Sequence, residues 1–227
     1  MGGRRLPGKE NSNAVWSSPD GREWSLVCNA AGWCRRVGPA HAVFQDKMWV
    51  LGGSEDFYGD FGDNLHNDVW CSEDGIQWEC VLEAAPWPAR SHHRAQVFQN
   101  KLWVLAGGAR FPDPFTRNDV WFTEDGKNWQ KVDPDPPWGP RNWASTAVYR
   151  NHLFVLAGWT PETDNYGDVW CTPDGKDWIQ LQSDKVWTPR HAQALYTHRD
   201  QLLLAAGHAR PVNSEVWSLQ LPEAFFQ

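Results

Sequence analysis

Apolar and polar positions along this 227-residue chain fall into short blocks with strand-like periods. "RAQVFQN", residues 94–100, alternates apolar and polar, as a strand with one face on a core does. "KLWVLAGG", residues 101–108, is an almost unbroken apolar run closed by glycine, which fits a strand covered on both faces. "NDVWCSE" (67–73) and "QWECVLE" (77–83) are two further runs around an Asp-Gly pair. Asp-Gly tolerates positive φ, so a tight hairpin is expected there. The four runs predict strands a, b, c and d of one antiparallel unit.

The unit recurs. "AVWSSPDGREWS", "DVWCSEDGIQWE", "DVWFTEDGKNWQ" and "DVWCTPDGKDWI" repeat one phrase, and 15 of the 17 tryptophans fall in register. Val15, Val69, Val120, Val169 and Val216 each precede a tryptophan. From the valine to the third tryptophan of a repeat (Trp33, Trp87, Trp138, Trp187) is 18 residues in all four repeats. From that tryptophan to a glycine (Gly53, Gly107, Gly158, Gly207) is 20 residues in all four. From the glycine to the next valine is 16, 13, 11 and 9. All length variation therefore lies in the connection from strand b to strand c. Four strands in a repeat of roughly 50 residues describe a propeller blade, and stacked blades bury the faces that one blade cannot.

The "GG", variable loop, "N-D-V-W", W and P-R signature resembles the kelch motif of galactose-oxidase-like β-propellers over essentially the whole chain. "S-x-D-G-x-x-W" is similar, more distantly, to the Asp-box of sialidase-type propellers. The expected fold is all-β, a propeller of four-stranded antiparallel blades with about four and a half repeats. Residues 1–227 read as one domain: a blade remnant at 1–32, repeats at about 33–86, 87–137 and 138–186, and a partial blade at 187–227. Gly2-Gly3 matches the pair that ends strand b, so the chain reads as starting inside a blade. Three readings follow: part of a six- or seven-bladed propeller, a small ring of four or five blades whose N-terminal hairpin completes the last blade, or closure by dimerisation.

Net charge is −7 and the pI about 5.6, which disfavours a nucleic-acid partner, since that needs a basic stripe. No apolar stretch is long enough to span a bilayer. No signal peptide is visible, and the compartment stays open. Cys28, Cys34, Cys71, Cys80 and Cys171 lack CxxC spacing and predict reduced, packed thiols, with no metal and no cofactor.

In the blade scheme, the start of a, the end of b and the start of c share one face, where function is expected on loops of variable length. An arginine is expected to begin each strand a: Arg36, Arg90, Arg141, Arg190. In kelch proteins that bind peptides, the matching arginine and its follower often face the ligand; the followers here are Val37, Ser91, Asn142 and His191. His92, His93 and Trp143 lie beside them. Tyr58, Phe111 and Trp159 come from the variable loops. Guanidiniums in one pocket suit carboxylate, sulfate or phosphate, and aromatic planes suit sugars or peptide side chains. The competing expectation is structural, with each arginine stacked on an indole or bound to carbonyls. Asp56, Asp60 and Asp63 lack EF-hand spacing and read as a solvated loop.

The expected function is a non-catalytic binding module for a protein, peptide or glycan. The alternative is a sugar-active enzyme similar to kelch-type sialic-acid epimerases, using His92 or His93. A copper oxidase lacks its tyrosine–cysteine pair. No HExxH, G-x-S-x-G or phosphate loop occurs.

Overall fold

A computed structural model describes residues 10–56, 64–110, 113–222 and 225. Among them there is no α-helix, hence none long and apolar enough to cross a membrane. A hairpin of β1 (Val15–Ser17) and β2 (Ser25–Cys28) comes first. The first blade is β3 (Ala40–Phe44), β4 (Lys47–Ser54), β5 (Leu65–Ser72) and β6 (Glu79–Leu82), paired in that order. The second joins β7 (Arg94–Phe98) and β8 (Lys101–Leu105), then, past the small ribbon β9 (Gly108–Ala109) and β10 (Phe115–Thr116), β11 (Val120–Thr123) and β12 (Trp129–Lys131).

The third blade is β13 (Ser145–Tyr149), β14 (His152–Thr160), β15 (Asp164–Thr172) and β16 (Ile179–Leu181). Next come β17 (Arg190–His191), β18 (Ala194–His198), β19 (Gln201–Ala205), β20 (His208–Ala209) and β21 (Val216–Leu219). Of these, β18, β19 and β21 form a three-stranded fourth blade. The four antiparallel sheets are arranged as a four-bladed propeller, with inner strands side by side: β3 on β7, β7 on β13, β13 on β18.

The hairpin β1–β2 does not complete the last blade, as one reading of the sequence expects. It forms its own sheet, and Val15, Ala31 and Trp33 pack with Val50 against the first blade. Gly2-Gly3 lies outside the described residues.

The tight hairpins are not where Asp-Gly suggests. They join strands a and b through Gln45-Asp46, Gln99-Asn100, Arg150-Asn151 and Arg199-Asp200, whose φ values all lie between 44° and 57°. Two successive positive φ values match the right-handed strand twist. The Asp-Gly pairs instead sit in a longer c–d connection. Asp74 Oδ1 accepts the backbone N–H groups of Ile76 and Gln77, and Ser72 Oγ accepts that of Gly75. These backbone donors hold the Asp74 carboxyl below its usual pKa. Gly75, Gly126 and Gly175 take positive φ, and the last two have a second duty. A Cβ on Gly126 would lie 2.0 Å from Trp49, and one on Gly175 2.1 Å from Trp103, so only glycine lets the next blade approach these indoles.

The blades are glued by tryptophan. Trp33, Trp87 and Trp138, each ahead of a blade, meet Trp78, Trp129 and Trp178 of that blade edge to face, with centroids 4.3, 6.0 and 5.7 Å apart. Trp138 is 1 % exposed, whereas Trp24 is 59 % exposed. Trp138→Ala should therefore destabilise by about 3–5 kcal/mol, and Trp24→Ala by under about 0.5 kcal/mol. Urea unfolding of both variants measures the difference; equal losses would mean that the indoles do not hold the blades.

Candidate functional site

The repeated arginines are clamps. Arg36, Arg90, Arg141 and Arg190 are all 0 % exposed. Each lies four residues ahead of its blade's inner strand instead of beginning it. Arg90 donates from Nη1 and Nη2 to both oxygens of Asp119, at 2.6 and 2.7 Å, and from Nη1 to the Ala106 carbonyl at 2.8 Å. Arg36 with Asp68 and Gly52, and Arg141 with Asp168 and Ala157, repeat the pattern. The accepting carbonyls belong to residues with φ of 52–59°, at a bulge or end of strand b; in the first and third blades the strand continues paired beyond it. The carboxylate also accepts an indole N–H: Trp70 to Asp68, Trp121 to Asp119, Trp170 to Asp168, each at 2.8 Å. The "D-x-W" phrase and the distant arginine are thus one unit. In the fourth blade Glu215 replaces aspartate, and only its Oε2 meets Arg190 Nη2, at 2.5 Å.

The geometry matches the structural alternative for the arginines: protein groups engage their guanidiniums, and none of the four is exposed. Ser91 and Asn142 are buried as well, bound to the carbonyls of Gly108 and Ala109. Tyr58 and Phe111 lie outside the described residues.

The structure does bring His92, Trp143, His191 and Trp159 together. His92 and Trp143 ring centroids are 4.6 Å apart, Trp143 and His191 5.2 Å, and Trp143 and Trp159 5.7 Å. His208 continues the row 4.9 Å from His191, and the Arg110 guanidinium lies 4.4 Å over Trp159. The row is placed by backbone. The second residue after each clamp arginine is left-handed: Gly38, His92, Trp143, Ala192, with φ of 53–61°. Each N–H donates to the preceding blade's equivalent carbonyl: His92 to Gly38, Trp143 to His92, Ala192 to Trp143. A bulky residue with positive φ is a local strain that the surrounding structure must hold. Gly38 is required beside His92, because a Cβ there would come 2.8 Å from Nε2.

His92 and His93 diverge, but through the left-handed turn at His92 and not through strand alternation. His93 is buried against Trp87, and neither ring nitrogen has a partner among the described residues. Burial, reinforced by the neighbouring Arg94 guanidinium, lowers the His92 pKa to about 4. Burial, with His208 next to it, lowers His191 to about 4.

A cavity of about 240 Å³ lies on the propeller axis beneath the row, lined from all four inner strands, including His41, Arg94, Gln96, Thr146 and Gln193. Sequence reading missed it. The available signal was Arg94 itself, the one charged residue at a position held by Ala40, Ser145 and Ala194 in the other repeats.

All five cysteines are free. Cys34 Sγ lies 3.2 Å and Glu55 Oε1 2.9 Å from His66 Nε2, a grouping of metal-ligand types. Arg36 Nη2 donates to the same sulfur at 3.0 Å, so a guanidinium already holds the place where a cation's charge would act.

Neither protein-family models nor curated proteins give a match to this chain.

Two outcomes follow. Arg90→Ala leaves Asp119 buried without its partner and should cost about 3–5 kcal/mol; unfolding midpoints of R90A test it, and a loss near zero would remove the clamp. The second concerns pH. His92 is neutral when folded and protonates near 6.5 when unfolded, so its stabilisation is present above pH 6.5 and lost as pH falls toward 4. The loss is on the order of 3 kcal/mol. Urea midpoints of wild type and His92→Asn should diverge across that window, asparagine being tolerant of positive φ; parallel curves would contradict the assignment.

Proposed function

We propose that the chain is a non-catalytic binding module of kelch type, and that the loop face around His92, Trp143 and His191 takes a protein, peptide or glycan. The kelch reading is supported by the repeated glycine kink, clamp arginine and "N-D-V-W" spacing. The observation that carries the binding reading is the row of partly exposed planar rings spanning three blades, two of which, His92 and Trp143, stand on strained left-handed backbone. A packing role alone would not need a bulky residue there, as Gly38 and Ala192 make the same backbone ladder. Rigid planes on an open rim suit sugar faces and peptide side chains.

The enzyme reading finds less support. A general acid–base works best with a pKa near the operating pH, and His92 and His191 titrate near 4. His93 is sealed from solvent at 2 % exposure.

Glycan and peptide arrays probed with wild type and Trp143→Ala give the test. Binding should appear on one array and fall by at least about tenfold in W143A, with little change in unfolding midpoint. Undiminished binding by W143A, or silence on both arrays, would reject the reading.

A further inference from the structure

We propose that the cavity on the propeller axis is an oxyanion site, in which the Arg94 guanidinium anchors a carboxylate or phosphate group presented through the loop face. This rests on the binding-module reading and names the chemical class of the ligand.

Four observations converge. Among the described residues the lining contains no aspartate or glutamate, in a chain of net charge −7. Arg94 has no carboxylate partner among the described residues; Nε donates to the Ala144 carbonyl and the rest of the guanidinium is open to the cavity. All four clamp arginines, by contrast, carry a counter-charge. Finally, the fold does not require arginine here, since the equivalent positions are Ala40, Ser145 and Ala194. A partly buried cation without a counterion is poorly compensated, and an incoming anion relieves that cost.

The neighbours suit an oxyanion. Gln96 and Thr146, 3.4 Å apart, bring an amide and a hydroxyl to the wall, and His41 faces the same space. Burial, with the Arg94 charge adding to it, lowers the His41 pKa. A guanidinium offers two parallel N–H groups to a carboxylate or phosphate. At ~30 Å³ per water, the cavity holds roughly eight waters. That suffices for a small organic acid or an acidic side chain reaching down from the rim.

The experiment is a titration of the isotope-labelled full chain with acetate, glutarate, inorganic phosphate and a glutamate-containing peptide, following the Arg94 side-chain N–H signals and the heat of binding. Separate arms distinguish carboxylate from phosphate. Arg94→Gln removes the charge, Arg94→Lys keeps it, and Lys127→Gln makes the same charge change on an exposed turn. At least one oxyanion should bind wild type. Affinity should fall by at least about tenfold in R94Q, fall less in R94K, and hold in K127Q. R94Q should also unfold at higher urea than wild type without ligand, because an uncompensated charge has gone. Equal binding by R94Q and wild type, equal loss in K127Q, or no binding by any probe at tens of millimolar would overturn the site. If arrays show neutral ligands on the rim while no oxyanion moves the Arg94 signals, the anion site fails and the binding module stands. If oxyanions bind at Arg94 while W143A leaves array binding unchanged, the rim reading fails.

Discussion

The interaction on which the rest depends is the buried pair between an arginine ahead of each inner strand and the carboxylate that precedes the repeated Val-Trp of strand c. It ties three parts of a blade at one point: the incoming connection, the left-handed residue at the end of strand b, and the residue before the Val-Trp pair of the third strand. Burying two charges is costly, and such a pair adds little net stability compared with well-packed apolar residues. Its value lies in specificity, because only one register of strands b and c satisfies every donor. The fourth blade shows the sensitivity. Glu215, longer by one methylene, leaves the bidentate geometry, and its side chain is 38 % exposed against 12 % for Asp68 and Asp119.

The clamp also builds the face above it. Because the arginine is pinned, the second residue after it must turn left-handed to enter the inner strand, and its N–H finds the preceding blade's carbonyl. The ladder runs from Gly38 through His92 and Trp143 to Ala192. Where the position holds glycine or alanine it is only scaffold; where it holds histidine or tryptophan it projects a ring. One backbone device thus serves stability in two blades and display in the other two.

Arg94 stands in contrast to the clamps. The four clamp guanidiniums are neutralised by the repeat itself. Arg94 lines the cavity where four inner strands converge, and among the described residues no carboxylate lines the wall. Burial, with the Arg94 charge adding to it, lowers the pKa of both His92 and His41.

Locked intervals of 18 and 20 residues, strand-length apolar runs and fifteen registered tryptophans determined the four-stranded blade and its repetition from sequence alone. Those signals are local, because a strand's period and a glycine's freedom are written within a few residues. What each conserved-looking residue of the repeat does was not local. Whether Arg90 faces a ligand or Asp119 depends on a carboxylate 29 residues away. The tight turn fell at Gln99-Asn100 and not at Asp125-Gly126, because Asp125 spends its carboxylate on the N–H groups of Lys127 and Asn128. Grouping His92, Trp143 and His191, and leaving Arg94 on the axis without a carboxylate partner among the described residues, required four blades brought around a common centre. Only tertiary structure sets those distances, since burial and charge pairing there are decided by residues far apart in the chain.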